Sequence, residues 1–232
     1  MVSCGARPGA CSLPDPDLRA RVAAHYAGAR PFARFYVRHK LRLDPVHAAL
    51  LALAGPEGFG DVLDLGCGRG QTGVLLLLAG AARRVHGIER NQAWLAEARR
   101  AGAPLGFVAT QADLAALPAL PPADTVLLID VLYQFKTPAQ IALLDAAAAA
   151  ARRRVVIRSM DAGAGLRGAL TRLGEAALRY LWPGSRSRIN PLPILRLTGA
   201  FAAAGWTTSV TRCASTMAPA NMLIVAERAG AA

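Results

Sequence analysis

The run from Asp61 to Gly73, DVLDLGCGRGQTG, constrains the fold of this chain more than any other segment. A short apolar strand signal, VLDL (62–65), passes directly into three closely spaced glycines, Gly66, Gly68 and Gly70, and then into a helical pattern. Glycine permits a tight turn and lets backbone approach a ligand closely, and the start of the following helix aims free N–H groups at the same place. A dinucleotide fingerprint asks for GxGxxG. Here the spacing is GxGxG, and Gln71 stands where the third glycine would be.

Beyond Gly60 strands and helices alternate. RVHGIE (84–89), LGFVA (105–109), TVLLID (125–130) and RVVIRSM (154–160) are short apolar runs, the pattern of strands buried on both faces. Helical segments between most of them predict right-handed βαβ units. WTTSVTRCA (206–214) and NMLIVAE (221–227), joined by a short turn, predict a hairpin at the sheet edge. The expected fold is α/β: a doubly wound, mostly parallel seven-stranded sheet with an N-terminal helical cap. Residues 1–16 read as a loose tail, 17–56 as the cap and 57–232 as the main domain, with a basic helical insert at about 161–204. In the cap, helices are expected over 17–29 and 31–43, and a third begins at Asp44-Pro45, where Asp caps and Pro takes the first turn. Phe32, Phe35, Tyr36 and His39 recur at helical spacing and predict the apolar face of the second helix.

DLGCGRG with the acid Asp64 resembles the first motif of class I S-adenosylmethionine-dependent methyltransferases, and further features of that family follow in order over roughly residues 60–230. The resemblance implies a Rossmann-like fold, S-adenosyl-L-methionine as cofactor, and a loop of Asp64, Gly66, Cys67, Gly68 and Gly70 that holds it. Glu89, at the end of the second strand, would accept hydrogen bonds from both ribose hydroxyls, a role that suits two acceptor oxygens without a donor. Asp113 and the N–H of Leu114 would face the adenine, Arg90 either stacks on it or lies in solvent, and Asp130, in LLIDVLYQF, belongs to the segment beneath the methionine moiety. Read alone, Asp113 is equally a loop acid or an N-cap. No catalytic residue is fixed. Tyr133 and His39 are the candidate bases, His39 having packing as its alternative role, and Tyr36, Arg38, Lys40 and Tyr133 are candidates for the substrate pocket.

The chain carries a formal charge of +12, which suggests an acidic partner. The excess is uneven: residues 1–46 hold eight basic and three acidic side chains and 151–200 hold ten and two, whereas 47–150 hold seven and nine. Leu166, Leu170, Leu173, Ala177 and Leu181 form an apolar stripe among Arg167, Arg172, Arg179, Arg186 and Arg188, ending at Tyr180 and Trp182; such a helix packs on the domain, lies on a membrane or receives an acidic protein. The expected substrate is a small molecule, lipid-like, phenolic or a carrier-bound acyl group, delivered by an acidic carrier protein or an anionic membrane. An RNA or DNA methyltransferase is the alternative, disfavoured by the absence of a (D/N)PP(Y/F) motif after the fourth strand. An NAD(P)-dependent oxidoreductase is disfavoured by Gln71 and by the YxxK spacing of Tyr133 and Lys136. The four histidines lack metal-ligand spacing, so no metal is expected. No uncharged run is long enough to span a bilayer, and the four cysteines form no CxxC pair. These features predict a reduced, cytoplasmic protein, with peripheral membrane contact as an option.

Overall fold

A computed structural model of the chain describes residues 14–163, 165, 166, 168–170, 173, 189–215 and 219–229. The apolar runs become seven strands: β1 (Asp61–Leu65), β2 (Arg84–Glu89), β3 (Val108–Gln111), β4 (Ala123–Ile129), β5 (Ala151–Met160), β6 (Trp206–Arg212) and β7 (Asn221–Arg228). They form one sheet in the order β3-β2-β1-β4-β5-β7-β6. The first five run parallel, and β7 lies antiparallel between β5 and β6. The central strands are apolar because both faces are covered: Val126, Leu127 and Leu128 of β4 and Val155, Val156 and Ile157 of β5 are fully buried. Edge strand β3 buries only Ala109 and so carries polar residues.

Helices flank the sheet: α1 (Pro16–Ala24), α2 (Pro31–Leu43), α3 (Val46–Ala54), α4 (Gln71–Leu78), α5 (Gln92–Gly102), α6 (Thr137–Ala150) and α7 (Ile194–Ala203). Pro at the first turn opens α2, where a missing N–H costs nothing, and Asp44 Oδ1 accepts from Val46 N (3.1 Å) at the start of α3. One core lies on each face of the sheet. A third joins α1 and α2 to α4 and α5 through Val22, Tyr26, Ala33, Val37, Leu41, Val74, Leu75 and Ala101.

The doubly wound sheet, the edge hairpin and the N-terminal helices agree with the sequence reading, and three local features differ. The third strand starts at Val108 and not at 105, because Ala103–Leu105 form a 3₁₀ turn closed by Gly106 at φ +75°. The first helix ends at Ala24, five residues short of the expected end, and turns through Tyr26–Ala29. The third difference is the face of α2. Ala33, Val37 and Leu41 are buried, whereas Phe35 and His39 are exposed. Small and β-branched residues let α2 settle into the core beside Val74 and Leu75. Of the expected insert, Arg167, Arg172, Arg179, Arg186, Arg188, Ala177, Tyr180, Leu181 and Trp182 lie outside the described residues, as do residues 1–13 of the tail with Cys4 and Cys11.

Candidate active site

Strand order reverses between β1 and β4, and in open α/β sheets ligands bind beyond the carboxyl ends of the strands at such a point. The glycine loop lies there. Gly66, Gly68 and Gly70 take φ of +75°, +58° and +79°, a region that side chains with a Cβ rarely enter. A Cβ on Gly66 would fall 2.5 Å from Val131 Cγ2, and one on Gly70 2.9 Å from Ala98 Cβ. At Gly68 no atom lies within 4 Å of that position. The outer glycines are required by packing, and the middle one leaves backbone open to a ligand. Gly66 N and Cys67 N both donate to Ile88 O (2.8 and 3.1 Å), tying the loop to β2.

Two acids flank the loop. Glu89, buried at the end of β2, accepts from Gly68 N through Oε2 (3.0 Å) and from Asn91 N through Oε1 (2.7 Å). Each oxygen keeps a further lone pair. Asp64 is 2% exposed, and its Oδ2 has no hydrogen-bond partner among the described residues. Burial, and secondly the charge of Glu89, pushes its carboxyl up to about 7. Burial likewise raises the Cys67 thiol, which is therefore neutral. An orphaned buried carboxylate beside open backbone suits a cationic ligand, whose charge would restore the ionised form.

This acid yields a pH prediction. An acid whose pKa is higher in the folded state holds its proton where the unfolded chain has lost it, so folding stability falls as pH rises from about 4 to about 7. Thermal unfolding of the ligand-free protein between pH 5 and 8 should show this fall, and Asp64→Asn should flatten it. An unchanged slope in the variant would assign the dependence to other groups.

Other expected site residues take varied places. Ala112 N donates to Glu89 O (3.3 Å), which brings the Gln111–Leu114 turn beside β2. Asp113 is exposed and caps the turn by accepting from Ala115 N (2.9 Å), its N-cap alternative; Leu114 is buried. Arg90 is exposed. Asp130 takes φ +58°, a strained value that Asp tolerates better than most residues. Its Oδ2 meets Arg158 Nη1 (2.8 Å) and Lys40 Nζ (3.2 Å), and both cations also pair with Asp44 Oδ2 at 2.8 and 2.7 Å. Asp130 and Lys40, expected to face cofactor and substrate, thus belong first to an ion network that fastens α2 to β4 and β5. Despite burial, the carboxylates hold Lys40 and Arg158 above their usual pKa values, and burial lowers nearby His47 to about 4, leaving it neutral.

Tyr133 is 2% exposed, in the 3₁₀ turn after β4, and its carbonyl accepts from Asn190 N (2.7 Å). His39 and Arg38 lie on the exposed side of α2. His39 stacks on Phe35 with ring centroids 3.7 Å apart, and its Nδ1 lies 2.8 Å from Phe35 O. The expected packing of His39 on a buried face is therefore corrected: with the small residues turned inward, the ring is carried outward. Among the described residues no three His, Cys, Asp or Glu side chains cluster as a metal site.

Sequence reasoning missed Arg69, the non-glycine residue between Gly68 and Gly70. Its guanidinium pairs with Glu97 of α5 and lies 5.6 to 5.7 Å from the rings of Phe32, Tyr36 and Trp94. Its carbonyl accepts from Tyr26 Oη (2.8 Å). The cap and α5 thereby grip the glycine loop from outside. Only the arginine's place within the glycine run signalled this, since its partners come from distant segments.

Comparison with known proteins agrees with this geometry. Residues 62–154 match a family model described as a methyltransferase domain. No curated protein matches the chain. Among solved structures, magnesium protoporphyrin IX methyltransferase from Synechocystis PCC 6803 with bound SAH is 25% identical, with 90% of this chain and 94% of that one covered and a TM-score of 0.58. The DhpI-SAM-HEP complex is 20% identical over 90% of this chain and 94% of that one (TM-score 0.56), and the pyocyanin biosynthetic protein PhzM 20% over 89% and 61% (TM-score 0.58). The strand order, the glycine loop and its flanking acids agree with these matches, and residues 62–154 are similar to a methyltransferase domain.

Proposed function

We propose that this enzyme methylates a small molecule, with a lipid-like, phenolic or carrier-bound acyl skeleton as acceptor. The observation that carries the reading is the pair of buried acids, Asp64 and Glu89, on either side of the open backbone at Gly68. The small-molecule class is supported by neighbours named as a magnesium protoporphyrin IX methyltransferase and a pyocyanin biosynthetic protein. S-adenosylmethionine supplies an activated methyl group on a sulfonium when bound. Glu89 offers two acceptor oxygens to a vicinal diol while bracing Gly68 and Asn91. Asp64 would place negative charge beside the cationic part of the cofactor, and the resemblance assigns the adenine to Asp113 and Leu114. The protein's remaining task is to orient the acceptor and exclude water, and buried Tyr133 walls that region in this reading. The basic segments at 1–46 and 151–200 favour delivery by an acidic carrier or an anionic surface.

Calorimetric titration with S-adenosylmethionine and with NAD(H) tests the cofactor. Binding of the first alone, weakened at least tenfold in a folded Asp64→Ala variant, is expected; binding of NAD(H) alone overturns the reading. Tight binding of generic RNA or DNA that falls steeply with salt would instead favour the nucleic-acid alternative.

A further inference from the structure

Helix α2 has two apolar faces, and the fold buries one. The helix docks through Ala33, Val37 and Leu41, yet Phe32, Phe35 and Leu43 remain 45%, 54% and 58% exposed. At about 3.6 residues per turn, Phe32, Phe35, His39 and Leu43 fall on one outward stripe. Arg34, Arg38 and Arg42, spaced four apart, run along its border. No acid lies within α2, Asp44 at its end is buried in the ion network, and among the described residues none of the three arginines has an ion-pair partner. Like charges four apart oppose helix formation, so the row costs local stability. The same arginines, with Arg19, line a groove of about 880 Å³ between α1 and α2 whose other wall is Ala20, Ala23 and Ala24.

We propose that the outward face of α2 docks on an anionic lipid bilayer, with Phe35 and Leu43 entering the headgroup region and Arg34, Arg38 and Arg42 meeting anionic headgroups. Basic side chains beside projecting apolar ones are the composition of a helix lying in the membrane interface. Phe32 and Leu43 project from the helix outside the groove, whose wall Phe35 and His39 share. A soft surface accepts such projections directly, whereas a protein partner would need a matching pocket for each. No described helix is long and apolar enough to cross a membrane, so the contact is peripheral. Because α2 also reaches the glycine loop through Tyr36 and β4 through Lys40, docking would hold the candidate site near the source of an amphiphilic substrate. That consequence rests on the proposed function; docking itself does not.

Flotation of the whole chain with phosphatidylcholine vesicles, and with vesicles containing a quarter phosphatidylglycerol, tests the proposal. Binding to the anionic vesicles alone is expected. Phe35→Ser/Leu43→Ser should weaken it about tenfold or more, and Arg34→Gln/Arg42→Gln roughly thirtyfold at low salt, from about 1 kcal/mol for each basic residue at an anionic surface. S-adenosylmethionine binding by both variants should match the parent, which shows them folded and keeps the cofactor question separate. Absence of flotation, flotation indifferent to the Phe35→Ser/Leu43→Ser pair, or equal capture by soluble polyglutamate would each overturn the proposal, the last in favour of an acidic protein.

Discussion

Glu89→Ala is expected to weaken S-adenosylmethionine binding by roughly a hundredfold or more in calorimetric titration, with the variant still folded. The magnitude follows from two acceptor oxygens. Hydrogen bonds to a charged group contribute about 1.5 to 3 kcal/mol each, so losing two costs about 3 kcal/mol at least, and each 1.4 kcal/mol is about tenfold in affinity. A second effect adds to this. Glu89 Oε2 holds Gly68 N and Oε1 holds Asn91 N, so the alanine variant also frees the loop whose conformation the cofactor reads. Glu89→Gln separates the two contributions. The amide keeps the shape and one acceptor, and its NH₂ faces donors, so an intermediate loss of roughly tenfold is expected. Wild-type affinity in Glu89→Ala would reduce the residue to a brace between β2 and the loop and would remove the ribose assignment.

The glycine run was legible in the sequence because its chemistry is local, and Glu89 was singled out only through the family resemblance that the run carries. A strand, a turn that only glycine can make and a helix start lie within thirteen consecutive residues, Asp61 to Gly73. Strand β3 was placed three residues early because Leu105 and Phe107 look like strand residues, and only Phe107 packing beneath Gly70 and Gly102 shows what they do. The face of α2 was misread for a related reason. Periodicity finds every apolar stripe on a helix, and α2 carries two; the larger side chains attracted the assignment, while the core took the smaller set. Arg69 and the ion network were illegible. Arg69 meets Tyr26, Phe32, Tyr36, Trp94 and Glu97, and Arg158 meets Asp44 across 114 positions of sequence. A sequence shows that an arginine stands in an apolar strand, and only the assembled sheet supplies its partner.

Arg158→Met is expected to destabilise the protein by about 3 to 5 kcal/mol, the range for removing one partner from a buried ion pair. Arg158 is 2% exposed, and its Nη1 lies 2.8 Å from both Asp44 Oδ2 and Asp130 Oδ2. Methionine fills much of the space and supplies no charge, so two inward-facing carboxylates are left with Lys40. At about 2 to 4 °C per kcal/mol for a chain of this size, thermal unfolding should fall by roughly 10 °C. The dependence on pH separates electrostatics from packing. Burial favours the neutral form of Asp44, but Lys40 and Arg158 outweigh it and hold its pKa well below the usual value. A depressed folded-state pKa contributes stability above about pH 4, the unfolded value, and that contribution is lost as pH falls. The deficit of Arg158→Met should accordingly be largest near neutrality and shrink toward acid, where the parent loses the same advantage. Asp44→Asn in the Arg158→Met background should cost less than in the parent, because the charge it removes is already uncompensated. A deficit constant with pH and additive with Asp44→Asn would instead mean that Arg158 acts through packing, and that the fastening of α2 to β4 and β5 is apolar.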